Sequence, residues 1–483
     1  MSGKPIPVVD LFAGPGGLGE GFSRVKYRCK SVFKTVISVE KDPYAHMTLS
    51  LRAFYRHFAL KGRGLPDEYR NVLRATSKRD KKDAWAALKK HSAWNQVKRE
   101  ALCLELGKHN NRIRRKITKA LGIKKGQKSH PKFVLIGGPP CQAYSLVGRS
   151  RMQNHDGKKK DARHFLYKEY LAIIRKYKPA VFVMENVKGL NTALVDGKPI
   201  LPEIIRDLES AGYELSSLVD TREGISASNR NYLIRAENYG VPQTRHRVII
   251  VGKRVGGRVG VIEPLKLVEK IVNVKSVIDT LPKLIGLNSA RPRSDYHPSK
   301  VGSQYIELTT RRRGMPKWLA AFIAPQVRGF SKVILNHEAR SHMSSDLERY
   351  RWWAKRAKKL KRSPTIDEIP ERDRKRLLPK HANLITGRAD TFVDRFKVQV
   401  ASKPSGTITS HISKDGHYYI HYDPKQARSF SVREAARIQT FPDDYFFMGN
   451  RTQQYHQVGN AVPPYLAYQI GCEVWRAFGG LGS

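Results

Sequence analysis

The order of apolar runs predicts a doubly wound α/β sheet, and three observations carry that expectation. First, the strand Val8-Val9-Asp10-Leu11-Phe12 runs into a glycine-rich turn, then a helix to about Tyr27, then a second strand, Val36-Ile37-Ser38-Val39, that ends in Glu40. Second, the rhythm resumes at Phe133-Val134-Leu135-Ile136 with a helix over about 163–177, the strand Val181-Phe182-Val183-Met184, a helix over 202–211 and the strand Arg247 to Val251. Third, the closing helix Pro464 to Ala477 is apolar enough to dock back onto that sheet. A sheet of about six or seven strands is expected from these elements.

Between them lie two stretches of different character. Over 56–132 basic residues crowd together around an apolar stripe of Trp85, Leu88, Trp94, Val97, Ala101 and Leu104, which reads as a basic helical insertion. It holds 23 lysines and arginines against 6 acids, an excess of +17. Over 253–425 short strand-like runs alternate with Pro/Gly turns without a repeat, which reads as a separate domain with a binding role. The expected organisation is therefore a first domain over 1–252, the second over 253–425, and C-terminal helices over 426–483 that return to the first.

Composition narrows the function. The 483 residues carry 90 Lys+Arg and 42 Asp+Glu, a formal charge of +48, while 40% hydrophobic residues suffice for a large core. A wholly disordered chain is excluded, and a polyanion, most simply nucleic acid, is the expected partner. No apolar run approaches the ~18 residues of a membrane span and no signal peptide is recognisable, so a soluble, cytoplasmic protein is expected. Cys29, Cys103, Cys141 and Cys472 are too few and scattered for a disulfide framework or zinc knuckle, so one that matters should matter as a thiol.

Four motifs carry chemistry. Gly14-Pro15-Gly16-Gly17-Leu18-Gly19 follows a strand, opens a helix and satisfies G-x-G-x-x-G, and Glu40 at the next strand tip can accept hydrogen bonds from ribose hydroxyls. That pattern fits a dinucleotide, an adenosyl cofactor or a structural turn. Pro139-Pro140-Cys141-Gln142 places a cysteine just beyond a strand end on the same sheet edge, followed by polar Gln142 and Ser145, a setting for a reactive thiolate, although a buried free cysteine is the commoner fate. Glu185 in Met184-Glu185-Asn186-Val187 brings a carboxylate to that edge, with a helix cap or solvated acid as its plainer reading. Gln243, Arg245 and Arg247 alternate onto one face as the chain enters a strand.

The ordered set Asp10-Leu11-Phe12-Ala13-Gly14-Pro15-Gly16-Gly17, Gly138-Pro139-Pro140-Cys141-Gln142, Glu185-Asn186-Val187, Gln243-x-Arg245-x-Arg247, Arg433 to Gln439 and Gly459-Asn460-Ala461-Val462-Pro463-Pro464 closely resembles the DNA (cytosine-5) methyltransferases. The resemblance covers both ends of the chain but neither 56–132 nor most of 253–425. It implies a Rossmann-like, S-adenosylmethionine-dependent catalytic domain, with 253–425 as a target-recognition domain. By resemblance Cys141 is the nucleophile, Glu185 and Arg247 hold and activate the base, and Arg245 orders the site. Phe12, Gly14, Gly16, Gly17, Glu40, Pro140, Leu166 and Asn460 would surround S-adenosyl-L-methionine. The family's acidic residue after the third strand falls where the basic segment lies, and the sequence does not choose among Asp67, Asp80 and Asp83.

The residue types fit the reaction. C5 of cytosine is a weak carbon nucleophile, and a thiolate adding at C6 while an acid stabilises N3 makes C5 enamine-like. A stacked base offers no access to C6, so the target must be flipped out of the duplex. The resulting reading is methylation of C5 in a specific double-stranded DNA sequence by a monomer, as the modification enzyme of a restriction-modification system with a separate restriction endonuclease, an orphan or phage enzyme being equally compatible. An RNA substrate and a catalytically dead nucleic-acid-binding scaffold are the alternatives, while an amino-methylating enzyme would need an aromatic residue where Cys141 stands. A metal is not expected from His411, His417 and His421, which no cysteine or acidic cluster joins. Trp352-Trp353 reads as core. The basic segment reads as a phosphate clamp through Arg114, Arg115, Lys116 and Lys119, or as a solvated face.

Overall fold

The computed structural model describes residues 4–60, 62–124, 126, 131–140, 166–195, 197–220, 231–309, 314–327, 329–378, 396–414 and 416–480. One eight-stranded sheet dominates. Its strands are β1 (Ile6–Leu11), β2 (Phe33–Glu40), β3 (Ala101–Cys103), β4 (Val134–Gly137), β5 (Val181–Val187), β6 (Tyr213–Ser216), β7 (Leu233–Arg235) and β8 (His246–Arg254). They are ordered β6-β8-β5-β4-β1-β2-β3, with β7 also paired to β8. β1 to β5 run parallel, whereas β8 is antiparallel to β5, β6 and β7. The doubly wound sheet is as expected, with more strands than the six or seven anticipated, because β3, β6 and β7 are only three or four residues long and too short to register as apolar runs.

Alternation along the strands sends side chains to two cores. Val9 and Leu11 face α6 (Asn110–Ala120), α7 (Leu166–Tyr177) and α8 (Ile200–Ser210) through Ile113, Ile117, Tyr170, Ile174 and Ile204. Val8 faces the other way, onto Leu18 and Phe22 of α1 (Gly17–Ser23) and Leu466, Ile470 and Val474 of α12 (Pro464–Ala477). The last helix thus docks on the sheet as expected. The preceding ones, α10 (Val432–Ile438) and α11 (Arg451–Asn460), instead share a core with Val274, Ile278, Leu319 and Phe322, so only the final part of 426–483 packs on the sheet.

The basic segment is not one insertion outside the sheet. After α2 (Pro43–Ala59) come α3 (Asp67–Arg74), α4 (Lys78–Lys90) and α5 (Trp94–Glu100), and then β3, the sheet's own edge strand. Ala101 and Leu104, expected on a helical stripe, belong to β3 and its exit, where Leu104 N donates to Glu40 O at 3.0 Å. Helices α2 to α5 bury Tyr55, Tyr69, Leu88 and Trp94 against Val327, Phe330, Val333 and Leu335, thereby bracing the hairpin of β9 (Gly302–Glu307) and β10 (Val333–Glu338). Trp353, on α9 (Ser344–Leu360), is core, packed with Phe396 and Val398.

Candidate active site

The chain leaves β1 for β2 and β3 on one side of the sheet and for β4 and β5 on the other, so a crevice opens at the C-terminal ends of β1 and β4. The glycine loop follows β1 into that crevice. Phe12 at φ 57°, Gly14 at φ 56° and Gly16 at φ 99° turn the backbone sharply. The Gly14 backbone N–H donates to Glu40 Oε2 and that of Asp42 to Glu40 Oε1, both at 2.8 Å. Burial pushes the Glu40 carboxyl up from its usual range despite these bonds. Gly17 is an obligate glycine, since a Cβ there would sit 2.1 Å from the Val462 carbonyl oxygen, whereas one on Gly14 would meet nothing within 4 Å. Open space thus lies beside a carboxylate held by backbone N–H groups. This combination suits a ribose.

The other residues expected around a cofactor frame the same edge. Pro140 ends the described part of the loop after β4 and is partly exposed, as is Leu166 at the start of α7. Leu166 Cδ2 lies 3.6 Å from where a Cβ on Gly107 would stand, closing the loop after β3 against α7. Asn460 is exposed at the end of α11. Beneath the glycine loop, Asp10 is fully buried and neither of its oxygens completes a hydrogen bond among the described residues. Burial pushes its carboxyl up to about 8, with Arg56 opposing, Glu40 reinforcing and the Gly19 backbone opposing weakly.

Glu185 and Arg247 meet at the other side of the crevice. Antiparallel pairing sets Arg247 opposite Val187 and Glu185 opposite Ile249, and Arg247 Nε reaches Glu185 Oε1 at 3.0 Å. Their side chains keep 14% and 12% exposure. Burial lowers the guanidinium pKa of Arg247, and Glu185 counteracts this. The other Glu185 oxygen points to the loop after β4, since a Cβ on Gly138 would lie 3.1 Å from Oε2. Asn186 Nδ2 donates to the Pro139 carbonyl at 3.2 Å, which ties β5 to the same loop. Cys141, with Gln142 and Ser145, lies outside the described residues.

Arg245 and Gln243 take a different direction from Arg247. Arg245 donates to the carbonyls of Ile408 at 2.9 Å, Gly459 at 3.3 Å and Ala461 at 2.8 Å, closing the C-terminal end of α11. Burial pulls its pKa well below the usual range. Gln243 donates to Gln439 Oε1 at 2.6 Å and accepts from Ile408 N at 3.0 Å. Sequence reasoning missed α11, whose polar face has no apolar stripe. Its readable signal is the capping box of Asn450 and Gln453.

Asp67, Asp80 and Asp83 lie on α3 and α4, before β3, so none of them follows the third strand. The acid that does is Glu105, paired with Lys41 at 3.2 Å, while Cys103 stands opposite Glu40 in the ladder. The basic cluster of α6 occupies another place. Arg114, Arg115 and Lys119 line a cavity of about 570 Å³ with Lys176, in the last turn of α7. Since α7 descends toward the start of β5, this groove lies at the opposite end of the sheet from Glu185. Of the three histidines at 411–421, His417 bonds Tyr350 Oη at 2.7 Å, and no metal-holding group of three ligands exists among the described residues.

Comparison with known proteins identifies the family. The profile described as C-5 cytosine-specific DNA methylase matches residues 108–476. The Type II methyltransferase M.Bpa9945I of Bacillus paralicheniformis is 36% identical over 95% of this chain and 96% of its own. M1.HphI of Haemophilus parahaemolyticus, also a Type II methyltransferase, is 29% identical over 70% of this chain and 66% of its own. The crystal structure of a putative DNA modification methyltransferase encoded within an E. coli prophage shares the fold, with a TM-score of 0.58 at 18% identity, covering 98% of this chain and 99% of that one. With the profile matching most of its length, the chain belongs to the C-5 cytosine-specific DNA methylase family, and is a DNA (cytosine-5) methyltransferase.

Proposed function

We propose that the enzyme methylates C5 of one cytosine in a specific duplex DNA sequence through a covalent adduct between Cys141 Sγ and C6. The observation that carries this reading is the Glu185–Arg247 pair, 3.0 Å apart and partly open to solvent, with its remaining carboxylate oxygen turned to the loop that continues into Cys141. A base flipped into the crevice would meet all three groups at once. Cys141 adds to C6 as Glu185 donates a hydrogen bond or proton at N3, and the electrons of the C5–C6 double bond become available at C5. Arg247 orients Glu185 and balances negative charge developing near O2. When bound, S-adenosylmethionine supplies the electrophilic methyl group. Loss of the C5 proton to a base or water then expels Cys141 and restores the ring.

The residues present fit that cofactor. Glu40 would accept from the ribose, the glycine loop and Phe12 would line the nucleoside, and Pro140, Leu166 and Asn460 would flank it. Glu105 would face the adenine. Arg245 would act as a positioning residue through α11, and the region 253–425 would read the target sequence. The names of the relatives support a modification enzyme of a restriction-modification system. It would act as a monomer beside a separate nuclease in the cytoplasm. Among the described residues no helix is long and apolar enough to cross a membrane. Bisulfite sequencing of DNA from cells expressing the wild type and Cys141→Ser tests the reading. One protected sequence should appear with the wild type and none with the variant, and protection by the variant would refute the role of Cys141.

A further inference from the structure

The glycine loop is pinned on two sides, and only one of the pins is Glu40. On the other side Tyr445, fully buried in the segment after α10, donates its hydroxyl hydrogen to the Pro15 carbonyl. The ring is held in turn. Arg52 of α2 stacks over it at 4.8 Å, and the same guanidinium bridges Glu20 of α1 at 2.6 Å and Asp444 at 3.2 Å. Arg433 fixes the backbone from behind, donating to the Pro442 and Tyr445 carbonyls at 2.7 and 2.5 Å. A Cβ on Gly16 would lie 2.9 Å from the Tyr445 hydroxyl, so the oxygen packs directly beneath the turn at φ 99°.

Gly14 and Gly16, the residues that need the left-handed region, thus flank a proline whose carbonyl is held by Tyr445, while Gly14 N is held by Glu40. Losing the Tyr445 hydroxyl would leave a buried carbonyl unpaired and let the loop settle into another backbone path. We propose that Tyr445, oriented by Arg52 and Arg433, is a positioning residue for the cofactor: its hydroxyl sets the shape of the glycine loop without touching the ligand. The proposal rests on the reading of that loop as the S-adenosylmethionine cradle.

Tyr55 provides the control. Its hydroxyl donates to Asp444 in the same buried cluster and accepts from the Gln326 and Val327 amides at 2.9 and 3.1 Å, but makes no bond to the glycine loop. Calorimetry with S-adenosylhomocysteine should show Tyr445→Phe binding about 3- to 10-fold more weakly than the wild type, as the loss of one buried hydrogen bond implies. Affinity for a target duplex should stay within about twofold. Tyr55→Phe, which removes an equally buried hydroxyl, should bind S-adenosylhomocysteine within about twofold of the wild type. Unchanged affinity in Tyr445→Phe would overturn the proposal alone, and equal weakening in both variants would overturn it by showing general destabilisation. A wild type that binds no S-adenosylhomocysteine would overturn the cofactor reading, and the proposal with it.

Discussion

Arg247 at the rim of the crevice and Arg245 in the seam behind it stand two residues apart in one stretch of chain, yet they do different work. Arg247 keeps 14% exposure and spends its Nε on a carboxylate that is itself turned toward the loop of Cys141. Arg245 is 2% exposed and donates only to carbonyls among the described residues, at Ile408, Gly459 and Ala461. Arg433 belongs with it, fully buried and bound to the carbonyls of Leu335, Pro442 and Tyr445. An arginine whose donors are consumed by backbone holds shape. One that shares a partly open carboxylate is available to a substrate. Residue type and spacing cannot separate these fates, because partner and depth decide them.

The sharpest way to break this comparison is to test the rim pair for chemistry and the seam for stability. Glu185→Gln should lower the single-turnover methylation rate by about 10²- to 10⁴-fold, since an amide can hold N3 but cannot protonate it, with thermal stability near that of the wild type. An unchanged rate would remove Glu185 from the reaction. Arg245→Ala should instead cost about 3–5 kcal/mol of stability, because it strands three buried carbonyls. Chemical denaturation reads that loss, and a variant as stable as the wild type would refute the structural assignment.

A smaller effect concerns Asp10. Its folded-state pKa of about 8 lies above the unfolded value near 3.8, so the folded chain holds a proton that the unfolded chain releases between those values. The stability from the neutral carboxyl is therefore present below about pH 4 and is lost as pH rises to about 8. Asp10→Asn, neutral throughout, should gain on the wild type by up to about 1.4 kcal/mol for each pH unit between 5 and 8. Parallel stability curves for the two proteins would mean that Asp10 has an ordinary pKa. The smallest effect is expected at α6. Replacing Arg114, Arg115, Lys116 and Lys119 by glutamine should shift the slope of log affinity against log salt by less than about 0.9, one phosphate's worth, because the groove lies at the far end of the sheet. A larger flattening would place DNA on α6 and restore the clamp.

Much of the site was legible because chemistry concentrates where strands end. The glycine loop, Glu40 and Glu185 each follow or close an apolar run long enough to recognise, and the sheet brings them to one edge. β3 was hidden by its length of three residues, and its Ala101 was absorbed into a helical stripe that ends with α5. The seam was hidden for another reason: Arg245, Gln243 and Tyr445 find their partners more than 160 residues away in sequence, a separation no local pattern reports. The bracing of β9 and β10 by α2 to α5 is equally nonlocal.

The central claim is that the crevice edge presents Cys141 to C6 of a flipped cytosine beside Glu185 and Arg247. A duplex carrying 5-fluorocytosine at the methylated position, incubated with enzyme and S-adenosylmethionine, tests it most directly, because fluorine at C5 does not leave as a proton and the adduct cannot break down. The wild type should form a denaturation-resistant complex mapping to Cys141, and Cys141→Ser should form none. Failure of the active wild type to form the complex on its confirmed target sequence, or an adduct mapping to another residue, would contradict the mechanism.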